Sequence, residues 1–264
     1  MTRTGKSLAA ACGLVTLAAV GCPAEAGAPL QLSGILGGGY SNFTTPGGDT
    51  TSWNGRASAN FMISDPGINV QGNFADAQLN YPGKSGGGQS LPSYGGDVYW
   101  RDYAGTFGVN VTALRFPHGS STEIGYGFFG EGYILPMLTL RVKAGQVAGD
   151  IRAQYLSAGG IVYPFRSIAL NADLNYGKIN HGGPTMRDAQ LGAEFMPLPY
   201  VPVSLRLGYD FEKLNQFHDH INVLSVGLRF YFGGGGKDNS LRSYQRNGIV
   251  TWDGPPETLQ GLTF

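Results

Sequence analysis

The sequence predicts an all-β chain, an antiparallel up-and-down transmembrane β-barrel of about twelve strands. Three observations carry that reading. Apolar residues recur with period two along most of the chain, the signature of strands with two unlike faces. Glycine is 43 of 264 residues and aromatics are 12%, while charged residues are only 14%, against roughly 7% glycine and 25% charge in average soluble domains. Mean hydropathy is −0.10, and after the first residues no run reaches the roughly 18 apolar positions of a membrane-spanning helix. Lys+Arg and Asp+Glu are 18 each, so the basic excess expected of a nucleic-acid binder is missing.

Residues 1–26 read as a secretory signal peptide. Arg3 and Lys6 form a positive start, Leu8 to Gly21 an apolar stretch too short to span a bilayer, and Ala24-Glu25-Ala26 a small-x-small cleavage pattern. Ala19-Val20-Gly21-Cys22 also resembles a bacterial lipoprotein box, which leaves lipidation of Cys22 open. Cleavage after Ala26 removes Cys12 and Cys22, the only cysteines, and with them any disulfide or thiolate metal site.

Residues 27–233 read as the barrel. Strands are expected at about 30–42, 53–64, 68–80, 97–103, 106–115, 123–134, 138–145, 153–163, 167–177, 188–196, 202–211 and 221–232. The alternation is plainest where Val203, Leu205, Leu207, Tyr209 and Phe211 interleave with Ser204, Arg206, Gly208 and Asp210. It recurs where Leu138, Leu140 and Val142 interleave with Thr139, Arg141 and Lys143, and where Ala189, Leu191 and Phe195 interleave with Gln190, Gly192 and Glu194. Glycine-rich strands 1, 6 and 8 keep ten strands as an alternative. Tight turns at 65–67, 104–105, 135–137, 164–166 and 197–201 alternate with longer connections near 43–52, 81–96, 116–122, 146–152, 178–187 and 212–220. Short turns on one side and long loops on the other, with an even strand number, suit an outer-membrane barrel. Of the loops, only 81–96 is long enough to fold inward.

The last strand carries Ser225-x-Gly227-x-x-Phe230-x-Phe232. This pattern resembles the signal by which the outer-membrane assembly machinery recognises barrels, and it implies that machinery as a partner beside outer-membrane lipid. Val98-Tyr99-Trp100-Arg101-Asp102 and the segment Gly227 to Gly233 are similar to porin-family barrels of alphaproteobacteria. The resemblance covers roughly 30–233 and implies a Gram-negative outer-membrane location. Residues 234–264 are polar and glycine-rich, with Lys237, Arg242 and Arg246, and read as a largely disordered periplasmic tail.

Little in the sequence points to catalysis, cofactors or metals. His118, His181, His218 and His220 all fall in expected loops. His118-Gly119-Ser120 is similar to the base–nucleophile pair of outer-membrane phospholipases. The resemblance breaks down because Gly132 stands where that family carries asparagine, so lipid hydrolysis is only a remote alternative. The glycine runs lack the strand–helix context of phosphate loops.

If apolar side chains face lipid, the intervening ones face the lumen. The inward charges expected are Arg56, Arg101, Arg141, Lys143, Arg206 and Arg229, against Glu131, Asp173, Glu194 and Asp210. Twelve strands about 4.8 Å apart and tilted by about 40° enclose a backbone diameter of roughly 24 Å, narrowed further by arginines. Hairpin geometry sets Glu131 opposite Arg141 and Glu194 opposite Arg206. The functional expectation is a narrow, mildly basic channel for small solutes or ions; the alternative is a closed structural or surface-interaction barrel.

Overall fold

The computed structural model describes residues 31–45, 48–63, 66–80, 88–115, 121–150, 152–179, 183, 185–198, 201–214, 220–234 and 239–251. The proposed leader, the lipoprotein-like Cys22 and residues 252–264 lie outside the described residues.

Twelve antiparallel strands close into one barrel in sequence order, with β1 hydrogen-bonded to β12. They are β1 Gln31–Thr45, β2 Gly48–Met62, β3 Gly67–Asn80, β4 Gln89–Arg101, β5 Gly105–Leu114, β6 Glu123–Leu135, β7 Leu138–Ala148, β8 Ala153–Phe165, β9 Ile168–Ile179, β10 Thr185–Phe195, β11 Val203–Leu214 and β12 His220–Phe232. The strand number is twelve, not ten. Several strands outrun their expected ends toward the loop side. The segment 43–52 is no loop: β1 and β2 meet in a tight hairpin, where Thr45 Oγ1 donates to the Gly48 carbonyl at 2.7 Å. The segment 81–96 is half strand, because β4 begins at Gln89 and pairs with β3 from there. Residues 89–96 therefore belong to the wall, and 81–87, the other part of the loop expected to fold inward, lie outside the described residues.

Every strand separates two faces. Outward positions carry exposed large apolar side chains in three zones. Phe61, Trp100, Phe107, Phe195 and Phe230 ring the turn side. Val109, Leu140, Val142, Leu174, Leu207 and Leu224 occupy the middle, and Trp53, Tyr94, Tyr126, Tyr176 and Tyr209 ring the loop side. An aliphatic band between two aromatic girdles is the exterior of a barrel in lipid. Inward positions are polar and mostly buried, among them Ser58, Asn60, Gln71, Asp97, Arg101, Lys143 and Asp173.

Closure rests on the β1–β12 seam, paired from Gly34↔Phe232 to Thr44↔Asn222. Phe232 is half-buried because its ring lies over Gly34, where an added Cβ would collide with it. Lower down the strand, Gly227 faces Gly39 so closely that a Cβ on Gly39 would sit 2.7 Å from the Val226 carbonyl. The closing motif thus supplies one ring to cover a glycine and one glycine to permit close approach. Phe232→Ala removes a cross-strand contact worth about 1 kcal/mol, and Gly34→Ile overpacks the seam at a cost of about 1–3 kcal/mol. Both variants are expected to lower the folded, heat-modifiable band on gels and its protease resistance, Gly34→Ile more strongly.

The lumen as candidate functional site

All ten charges expected inside lie at buried or half-buried positions on inward-facing parity. The register sets Glu131 opposite Arg141 and Glu194 opposite Arg206. Arg141 also reaches past β8 to Asp173 on β9, with Nε donating to Oδ1 at 2.7 Å and Nη2 meeting Oδ2. That reach is possible because β8 contributes Gly159, the register partner of both residues. A Cβ on Gly159 would run into the Asp173 carboxylate. Arg229 Nη1 donates to Glu194 Oε2 at 2.9 Å, and Glu194 also accepts from Ser204 and from Tyr231 at 2.7 Å.

Four further acids face inward and were missed: Asp97, Glu123, Asp188 and Glu212, all buried. Each sits at the first residue of an expected strand or just past its last, so the expected boundaries hid them. Their parity was visible: Asp188 matches Glu194, and Glu212 matches Asp210. Six bases therefore meet eight acids on the described inner wall, which corrects the expected basic excess. The charges are also layered. Arg101, Arg141, Arg206 and Arg229 lie near the turn side, and Glu123, Asp188, Asp210 and Glu212 toward the loop side.

The larger correction concerns the tail. Residues 239–251 do not extend away from the barrel; they lie inside its turn-side half. Gly233 and Gly234 leave β12 with φ of 61° and 65°, a conformation that favours glycine, and reverse the chain into the lumen. A short helix α1 (Leu241–Ser243) follows, with Ser240 Oγ accepting from the Ser243 N–H at 3.2 Å, and then a π turn over Tyr244–Gly248. Leu241, Tyr244 and Ile249 pack with Ile35, Ile161 and Tyr231, and the rings of Tyr244 and Tyr231 stack at 5.2 Å. Val250 crosses to the far wall, between Tyr99 and Phe129. These four apolar residues are scattered, without the alternation of a strand, which is why composition made the tail look disordered.

Polar contacts fix the same path. Gln245 Nε2 donates to Glu194 Oε2 at 3.2 Å, and Tyr163 Oη donates to Gln245 Oε1 at 3.0 Å. The Arg246 guanidinium lies 5.0 Å and 5.4 Å from the ring centres of Tyr133 and Tyr163. It donates to Thr139 Oγ1 at 3.1 Å and to the Leu135 carbonyl at 2.8 Å. Arg242 Nη1 donates to the Pro136 carbonyl at the rim.

Nothing in the described residues assembles a reactive centre. His118, Ser120, His181 and His218 lie outside them, and His220 stacks on Phe211 at the start of β12. No group of three or more His, Cys, Asp or Glu is placed to hold a metal among the described residues.

No family model matches the chain, and no curated protein matches it. Solved structures do. The NanC porin aligns with a TM-score of 0.56 at 9% identity, over 75% of this chain and 98% of that one. The KdgM porin in complex with disordered oligogalacturonate aligns at 0.51 and 8%, over 74% and 99%. The CymD monoaromatic hydrocarbon channel aligns at 0.52 and 8%, over 77% and 89%. At such identities the likeness defines the fold, a closed twelve-stranded transmembrane barrel of the kind found in outer-membrane porins.

The Arg141–Asp173 pair yields a direct test. Removing one partner of a buried pair strands the other and costs about 3–5 kcal/mol, whereas replacing both with apolar residues is often nearly neutral. Asp173→Asn should therefore lower the unfolding midpoint in urea more than the double variant Arg141→Met, Asp173→Leu. Equal losses would show that Glu131, opposite Arg141, or lumen water compensates the guanidinium.

Proposed function

We propose that this chain is an outer-membrane channel for small solutes, shut on its turn side by its own residues 239–251. The observation that carries the reading is the pairing of an independent sheet with a lumen-filling tail. The barrel closes through β1 and β12 alone, and the described tail adds no strand to it. A tail that contributes nothing to the wall can leave without opening the wall. The polar, charged interior supports the same reading, because a barrel serving only as an anchor would be at least as stable with an apolar filling. The porin and channel descriptions of structural neighbours agree with it.

Within this proposal the leader over residues 1–26 directs export, and the closing motif Ser225, Gly227, Phe230 and Phe232 is read by the assembly machinery. The porin-like segments at 98–102 and 227–233 support an alphaproteobacterial porin relationship. The chain is read as non-enzymatic. The loop-side acids favour cations entering the mouth. The second reading, a permanently closed barrel, draws on the same tail and differs in one measurable property.

Single-channel recording in planar bilayers separates the two. The unmodified chain is expected to conduct rarely or weakly. Leu241→Ser with Val250→Ser removes two buried apolar anchors, each a truncation of the class that costs about 2–5 kcal/mol for leucine, and should raise open probability several-fold with a weak cation preference. A folded double variant that conducts no more than the parent would assign the closed structural barrel instead.

A further inference from the structure

The far wall of the lumen holds the tail mainly by its main chain. Tyr133 Oη donates to the Arg246 carbonyl at 3.0 Å. Arg101 Nη1 and Asn60 Nδ2 donate to the Gly248 carbonyl at 2.7 Å and 3.3 Å. Gln71 donates to the Val250 carbonyl at 2.7 Å and accepts from the Val250 N–H at 3.0 Å. The alternate carbonyls 246, 248 and 250 therefore meet the wall, as they would in any peptide lying along it. At 247 and 248 the demands on side chains are slight. Asn247 is exposed, and a Cβ on Gly248 would find no heavy atom nearer than 3.9 Å.

One buried donor of this wall is left unused by the tail: Arg101 Nη2 has no hydrogen-bond partner among the described residues, although Arg101 is only 5% exposed. Among the described residues the Arg101 guanidinium has only neutral acceptors, the Gly248 carbonyl and Thr106 Oγ1 at 3.1 Å. Its Cζ also lies over the Tyr99 ring, 5.0 Å from the ring centre. A buried guanidinium over an aromatic ring, with a spare N–H, is suited to a carboxylate, which accepts two parallel bonds where a carbonyl accepts one.

We propose that Arg101 and Asn60, on the inner wall of β4 and β2, form a binding site for a short peptide with a free C-terminal carboxylate, in competition with the tail. The terminal carboxylate takes the place of the Gly248 carbonyl and engages both Nη atoms of Arg101. A preceding carbonyl of the ligand accepts from the Tyr133 hydroxyl, as the Arg246 carbonyl does in the tail. The inference rests on the reading of 239–251 as a removable plug, and it supplies a ligand class able to displace it.

The test uses the full chain in detergent micelles and the pentapeptide Tyr-Gln-Arg-Asn-Gly, matching residues 244–248, as free acid and as C-terminal amide. Seating of the tail is read from maleimide labelling of Ile249→Cys, a position 2% exposed in the seated tail, with the parent chain as blank. Titration of the parent chain with each peptide gives affinity without the reporter substitution. The free acid is expected to bind on the order of tenfold more tightly than the amide, as a charge-assisted bond does over a neutral one, and to speed labelling several-fold. That difference should vanish in Arg101→Gln and shrink in Arg101→Lys. Equal binding of acid and amide would overturn the carboxylate site, and binding of neither would overturn the peptide site altogether. Peptide competition in a chain that never conducts would keep the site and remove the channel reading, so the two failures are distinct.

Discussion

Closure of the sheet is the constraint on which everything else depends. In hydrocarbon no water satisfies the backbone, so each N–H and C=O must find a partner within the wall and no edge can remain open. Pairing β1 with β12 meets that demand. A closed sheet then fixes which side chains look outward and which inward, because parity cannot change without a bulge. The described ladders run with only two register shifts, at Gly132/Leu135 and Val162/Phe165, both beside turns. One face of every strand is thereby committed to lipid and the other to a confined polar space.

That confinement explains the glycines better than turn chemistry does. Inward side chains on neighbouring strands stand close together, and long ones need empty positions to cross. Gly159 lets Arg141 reach Asp173, and Gly127 and Gly145 lie where a Cβ on either would strike the Tyr155 hydroxyl. On the outside, Gly34 accepts the Phe232 ring. At these positions glycine is a packing property of the wall, making room for side chains that reach across neighbouring strands.

The wall was legible in the sequence because its signal is periodic and repeated. Leu205, Leu207 and Tyr209 announce an outward face whatever surrounds them, and Arg206 and Asp210 follow inward by parity. Boundaries were less legible. Asp97, Asp188, Glu123 and Glu212 stand where alternation fades toward the loops, and a strand there is held by its neighbours' hydrogen bonds rather than by its own apolar face. Gln89 to Gly96 is strand because β3 offers a continuous ladder, joined by β5 from Ser93 on, which local residues do not reveal. The tail was not legible at all. Leu241, Tyr244, Ile249 and Val250 follow no single period, since each is matched to a different patch of a curved wall rather than to one flat face.

The tail and the wall also differ in how they are held. Every strand is secured on both sides by ladders whose loss would open the barrel, whereas residues 239–251 are secured by side chains reaching in from β2, β3, β4, β6, β8 and β10. Individually the neutral bonds contribute only about 1 kcal/mol, and those to Arg101 and Glu194 about 1.5–3 kcal/mol, because water can replace the lost partner. Lumen water offers that replacement to Gln71, Asn60 and Gln245 if the tail withdraws, and the apolar anchors Leu241, Tyr244, Ile249 and Val250 then set most of the difference between seated and withdrawn states. Wall stability and tail seating are therefore separable quantities in one chain. Substitutions at the seam act on the first, and substitutions at 241, 250 or Arg101 act on the second. A barrel with this division can keep its outer surface constant in the membrane while its interior is occupied or vacated.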